Sequence, residues 1–87
     1  MTIFYVYILE TEDKNGNKQY YTGYTNDIER RLREHIRGRG AKFCRGKKVN
    51  LKYLETFTNR SAAMKRELEI KSLSRKKKIE LIKTLEK

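Results

Sequence analysis

Seven residues have the types and spacing that could do chemistry: Tyr7, Tyr21, Gly23, Arg31, His35, Glu67 and Lys71. In an extended segment, residues two apart share a face, so Tyr5 and Tyr7 point the same way. A hairpin partner then lays Tyr21 and Gly23 beside them. Arg31 and His35 are four apart, one above the other on a helix, and Glu67 and Lys71 repeat that spacing. A phenol, an imidazole titrating near neutrality, a forked guanidinium and a carboxylate can between them move a proton and grip an anion. Taken singly, each has a plainer explanation. Strand tyrosines pack, a Glu–Lys pair four apart is a surface ion pair, and a lone histidine near a helix end is a polar edge residue.

The elements that must position them are legible. Ile3 to Glu10, IFYVYILE, is β-branched and aromatic on both faces, which predicts a central strand. Asn15-Gly16 predicts a two-residue type I′ hairpin turn, with Tyr20 to Thr25 returning antiparallel. Asn26 or Asp27 caps a helix whose predicted apolar stripe is Ile28, Leu32 and Ile36, ended by Gly38 and Gly40. One helical turn is expected around Ala41 to Cys44, then a third strand over Leu51 to Phe57. Asn59 or Ser61 starts a second helix facing inward through Met64 and Leu68, with Ala63 and Ile70 as further inward positions. Ser74 caps a last helix anchored by Ile79, Ile82 and either Leu81 or Leu85. The prediction is an α+β fold, a small three-stranded antiparallel sheet flanked by helices in the order β-β-α-β-α-α. At 87 residues the chain has material for one core, hence a single domain over 1–87.

Twenty-two Lys and Arg against eleven Asp and Glu give a net charge of +11, so the expected partner is a polyanion. Between Arg30 and Lys48 stand nine basic residues and one acid, Glu34. Solvated helix faces mix charge signs to form pairs, so this bias points to phosphate contacts by Arg30, Arg33, Arg37, Arg39, Lys42, Arg45, Lys47 and Lys48. The run Arg75 to Lys78 reads equally well as solvated surface and opposes its helix dipole. No apolar run is long enough to span a bilayer, and MTIFYVYILE lacks a basic leader and a cleavage site. The expectations are no membrane partner and a cytoplasmic, nucleoid-associated location. The single cysteine, Cys44, makes neither a disulfide nor a zinc site and is expected to be a small packing residue.

The blocks YVY at 5–7, YTG at 21–23, NDIERRLREH at 26–35 and AAMKRELEIK at 62–71 resemble the GIY-YIG nuclease domain, in particular its small single-domain bacterial and archaeal proteins. The similarity runs from Phe4 to about Ile82, and Tyr5 stands where the first motif is named for glycine. The resemblance implies a divalent-metal-dependent endonuclease acting on DNA phosphodiesters, with branched DNA among its expected substrates. Carried over by position, its catalytic residues are Tyr7, Tyr21, Arg31, His35 and Glu67, with Glu67 holding one Mg²⁺ or Mn²⁺ ion. Tyr7, Tyr21 and His35 each remain open as the base. Gly23 and Lys71 join the nucleic-acid-binding set, Gly23 because a missing Cβ lets substrate backbone or a neighbouring side chain approach the sheet. Two other readings stand beside it. One is a nucleic-acid-binding module of the same fold with little independent catalysis or with a protein partner for substrate delivery. The other is a basic RNA-associated protein.

Overall fold

The computed structural model describes residues 2–37 and 46–85. Three strands, β1 (Phe4–Glu12), β2 (Lys18–Thr25) and β3 (Lys48–Phe57), form one antiparallel sheet in the order β2-β1-β3. Helix α1 (Ile28–Ile36) follows β2, and α2 (Arg60–Lys71) and α3 (Arg75–Lys83) follow β3. This is the expected order.

The apolar character of β1 on both faces is explained by its central place, with Val6, Tyr7, Ile8 and Leu9 all fully buried. Phe4, Val6 and Ile8 pack with Tyr53 against Ala63 and Ile70 of α2 and Ile82 of α3. Tyr7 and Leu9 pack on the opposite face with Tyr21, Val49 and Leu54 against Ile28 and Leu32 of α1. The sheet therefore separates α1 from α2 and α3.

Val49 and Leu54 differ in parity, yet both face α1. A bulge resolves this: Ile8 pairs with Tyr53 while Leu9 pairs with Leu51, so Lys52 is the extra residue. Without it, the start of β3 would turn its side chains to the wrong face.

The β1–β2 turn differs from the sequence expectation. Among the described residues no non-glycine residue has positive φ, so Asn15 cannot sit in a type I′ turn, and only Gly16 (φ 82°) occupies the left-handed region in this loop. The amide of Gly16 donates to Asp13 O, and the Asp13 carboxylate accepts from the amides of Asn15 and Asn17. The loop is a three-residue turn closed by a glycine bulge. Asp13 sets it, by offering the backbone a carboxylate that the type I′ geometry does not use.

Asp27, Asn59 and Ser74 are the N-caps of the three helices, each accepting the amide three residues on. Two helical stripes depart from expectation. Ile36 is 63% exposed, and His35 takes its inward place. At about 100° per residue, position 35 lies about 40° from the midline of Ile28 and Leu32, and position 36 about 60°. On α2, Met64 and Leu68 are exposed, while Ala63 and Ile70 are buried. Measured from Ala63, Ile70 lies about 20° away, Glu67 about 40°, Met64 about 100° and Leu68 about 140°. The inward stripe is thus Ala63, Glu67 and Ile70, which pulls Glu67 towards the protein. On α3, Leu81 rather than Leu85 joins Ile82 in the core. The predicted turn at Ala41 to Cys44 lies outside the described residues.

Candidate active site

The hydroxyl of Tyr7 lies 3.1 Å from Nε2 of His35, in a contact buried between β1 and α1. Tyr7 reaches there by leaning over β2 at its pairing partner Gly23. A Cβ on Gly23 would come within 2.5 Å of the Tyr7 hydroxyl and 2.7 Å of Cζ. The room that glycine opens is filled by Tyr7. Gly23 is buried and serves the site through that phenol, which corrects its assignment to direct nucleic-acid contact.

Tyr21, half-buried, holds its ring 5.2 Å from the imidazole of His35, and Tyr7 meets the same ring edge-on at 5.9 Å. His35 is completely buried, with Nδ1 lacking any partner. Either neutral tautomer leaves that nitrogen unsatisfied, at a cost of about 1–3 kcal/mol. Burial first, and the charge of Arg31 second, hold its pKa below the usual histidine value, so at neutral pH the imidazole is uncharged.

Arg31, one turn before His35, is close enough to the Tyr7 hydroxyl to act on it electrostatically. Burial pushes the phenol up to about 12, against the lowering effect of Arg31. Resting Tyr7 is therefore a neutral hydrogen-bond donor. Glu34 fixes Arg31 in place by bridging Nη1 of Arg31 and Nη1 of Arg30, both at 3.0 Å. Those bonds hold the Glu34 carboxyl below its usual pKa. Sequence reasoning gave Glu34 no role, although its spacing of three and four from the two arginines was the signal.

Glu67 arrives from α2, on the other side of the sheet, and its charge still acts on the Tyr7 phenol. Its side chain is 15% exposed and pairs with Lys71 at 3.6 Å. Among the described residues, no group of three His, Cys, Asp or Glu could hold a metal ion. A single sheltered carboxylate suits a hard ion that keeps most of its waters and completes its shell with phosphate oxygens, and does not suit an all-protein cage.

Arg30 and Arg31 share a hollow of about 300 Å³ with Tyr24, Thr25 and Arg60. Arg30, Arg33 and Arg37 line a second hollow of about 250 Å³ along α1. Arg60, stacked 5.4 Å over Phe4, is a basic rim residue that lies far from the others in sequence and was missed for that reason. Lys47 and Lys48 sit elsewhere. Lys48 pairs across from Glu12, five positions along β1 from Tyr7, or about 17 Å. Lys47 donates to Gln19 at 3.2 Å. Arg39, Lys42 and Arg45 lie outside the described residues.

A tyrosine–histidine pair under an arginine, opening on a basic rim, has the parts of a phosphate-handling site, and residues 3–80 match the family model described as the GIY-YIG catalytic domain. The chain belongs to the GIY-YIG catalytic domain family. It is 54% identical over 78 residues to a UPF0213 protein of Haloquadratum walsbyi, covering 88% of this chain and 83% of that one. A UPF0213 protein of Clostridium perfringens is 46% identical over 79 residues, 90% of this chain and 81% of that protein. Among solved structures, the solution NMR structure of the UPF0213 protein BH0048 from Bacillus halodurans matches with a TM-score of 0.55 at 42% identity. That match covers 94% of this chain and 84% of the other. The match covers between 81% and 84% of each of these GIY-YIG relatives, and the family is one of nucleases. No helix among the described residues is long and apolar enough to cross a membrane.

Proposed function

We propose that this GIY-YIG protein is a divalent-metal-dependent endonuclease that hydrolyses DNA phosphodiesters. The observation that carries the reading is the buried Tyr7–His35 contact beneath Arg31, in which a neutral phenol adjoins a neutral imidazole.

Hydrolysis needs a proton removed from the attacking water and neutralisation of the charge that grows on phosphorus oxygens. Arg31, held by Glu34, grips a non-bridging oxygen with its planar fork. Tyr21 orients the water from its half-exposed position beside His35. The water oxygen bonds to phosphorus while its proton passes to the Tyr7 oxygen, and the Tyr7 proton passes to Nε2 of His35. The relay uses the tautomer with its proton on Nδ1. A phenol near 12 is a poor free base, and handing its own proton to His35 as it accepts another avoids a free phenolate. The negative phosphate offsets the repulsion between Arg31 and the imidazolium that forms. The phosphorus–3′-oxygen bond breaks, the leaving 3′-oxygen takes a proton from a neighbouring water, and His35 and Tyr7 return theirs to that hydroxide, giving a 3′-hydroxyl and a 5′-phosphate. Glu67 would hold the Mg²⁺ or Mn²⁺ ion, and the ion's chemistry there is Lewis-acid stabilisation of the phosphate and leaving oxygen. Lys71, freed from Glu67, becomes available to a neighbouring phosphate.

The test is cleavage of plasmid, flap and junction DNA by the purified chain with Mg²⁺ or Mn²⁺. Glu67→Gln is expected to abolish cleavage and retain DNA binding. Undiminished cleavage by that variant, or wild-type protein that binds duplex, flap, junction and single strand and cuts none, defeats the reading. The second outcome would leave a binding module of the same fold.

A further inference from the structure

Helix α2 meets the sheet along a narrow apolar line. Ala63 and Ile70 are buried, whereas Met64 and Leu68 are exposed. Apolar burial is non-directional, so two contacts in a line allow a helix to roll about its axis with little change in buried area. Arg66 and Glu67 stand on the two flanks of that line. At about 100° per residue, each lies about 50° from the midline of Ala63 and Ile70, one on either side. Whatever holds Arg66 therefore sets the direction in which Glu67 points.

Arg66 is held by the sheet. Its Nε and Nη2 donate to the Glu55 carboxylate of β3 at 3.1 and 2.9 Å, and Tyr53, two positions earlier on the same strand, donates to that carboxylate as well. Glu55 is opposite Val6 of the central strand, and its side chain is 23% exposed. Among the described residues, Arg66–Glu55 is the one salt bridge that joins α2 to the sheet, whereas Arg66–Glu69 and Lys71–Glu67 lie within the helix. A pair inside one helix orients its side chains and leaves the roll of the helix free. An ion pair in a half-buried position adds little net stability over apolar residues of the same shape, because both charges give up water. What this pair supplies is direction, since a planar guanidinium meets a carboxylate in a restricted set of orientations.

We infer that Glu55, acting through Arg66 and braced by Tyr53, is a positioning residue that fixes the roll of α2 and so aims Glu67. This rests on the proposed function only for what Glu67 holds, a divalent ion. With side-chain tips about 5–6 Å from the helix axis, a roll of about 10° carries the Glu67 carboxylate by about 1 Å. A displacement of that size in a catalytic group can cost about a hundredfold in rate.

The experiment uses the double variant Glu55→Gln, Arg66→Met, which removes the pair and strands neither charge. Residual dipolar couplings of the α2 amides, whose periodic variation along a helix reports its roll, are compared with those of wild type without metal. Mn²⁺ alone is then titrated, and the paramagnetic broadening of amides around Glu67 is followed. The expected roll is at least about 10°. The Mn²⁺ concentration that half-broadens those amides is expected to rise about tenfold, the lower end of what loss of an orienting partner costs a metal site. Arg66→Lys, which keeps the charge and loses the fork, should move both readings in the same sense, and it decides the same outcomes if the double variant does not fold. Glu69→Gln, which removes the partner of Arg66 within the helix, should move neither. An unchanged roll, a changed roll with the Mn²⁺ requirement of wild type, or an equal effect of Glu69→Gln would each overturn the inference. If Mn²⁺ broadens no amide near Glu67 in wild type while the double variant still rolls, the aiming of Glu67 stands and the metal assignment of the proposed function falls. If Mn²⁺ broadens those amides equally in both proteins, the reverse holds.

Discussion

Replacing Gly23 by alanine tests the architecture of the site with a single methyl group. The new Cβ would stand 2.5 Å from the Tyr7 hydroxyl, against the 3.4 Å at which ordinary contact begins. The hydroxyl must therefore retreat by about 0.9 Å, and Cζ, at 2.7 Å, must retreat with it. Tyr7 has no empty space to enter, being 1% exposed and set against the imidazole of a fully buried His35. Overpacking of this kind costs about 1–3 kcal/mol. In a domain this small, 2 kcal/mol lowers the melting midpoint by about 8–16 °C. The chemical consequence is larger, because a displacement of about 1 Å in a catalytic group can cost about a hundredfold in rate. The assays are urea unfolding monitored by circular dichroism and single-turnover cleavage of a labelled junction. In a Tyr7→Phe background the closest of these contacts is gone, so the stability cost of Gly23→Ala should shrink by about 1 kcal/mol. Wild-type stability in Gly23→Ala, or an equal cost in both backgrounds, would refute the reasoning.

Three further outcomes are expected. His35 has a folded pKa held below its unfolded value of about 6.5, so its contribution is present above that pH and lost as pH falls through the folded value. The melting midpoint should drop on acidification below about pH 6.5, and His35→Gln should show a shallower drop; parallel curves would count against a buried neutral imidazole. Tyr7 is shifted the opposite way, from about 10 to about 12, so its contribution is full below pH 10 and is lost as pH rises towards 12. Over that window wild type should lose up to about 2–3 kcal/mol more than Tyr7→Phe, read from urea titrations at each pH. Finally, Glu55 accepts three bonds from Arg66, two from Nε at 3.1 Å and one from Nη2 at 2.9 Å, and a fourth from Tyr53, tying β3 to the helix that carries Glu67. Arg66→Met strands a half-buried carboxylate and should cost about 1–3 kcal/mol, with much of the loss recovered on adding Glu55→Gln. Strict additivity of the two substitutions would show that the bonds contribute nothing.

Much of this molecule is local in origin. The central strand, the three capped helices, their order and the net positive charge follow from runs, caps and composition that act within a few residues, where sterics and backbone hydrogen bonding dominate. The chemically suited residues were legible too, because helix and strand spacing sets which neighbours share a face. Other features depend on contacts between elements. Ile36 lost its inward place to His35, since Tyr7 and Tyr21 supply a pocket for an imidazole that no pattern on α1 could announce. Met64 and Leu68 were chosen for hydrophobicity, but the sheet receives α2 through Ala63 and Ile70 and so draws Glu67 inward. Gly23 read as room for substrate backbone or for a neighbouring side chain, and the fold decides for the side chain, the phenol of Tyr7. The chain by itself determined which elements form and which side chains could do chemistry. Tertiary structure alone decided which face each helix buries, and hence which of those side chains meet, because burial free energy depends on what lies opposite and not on the residue alone.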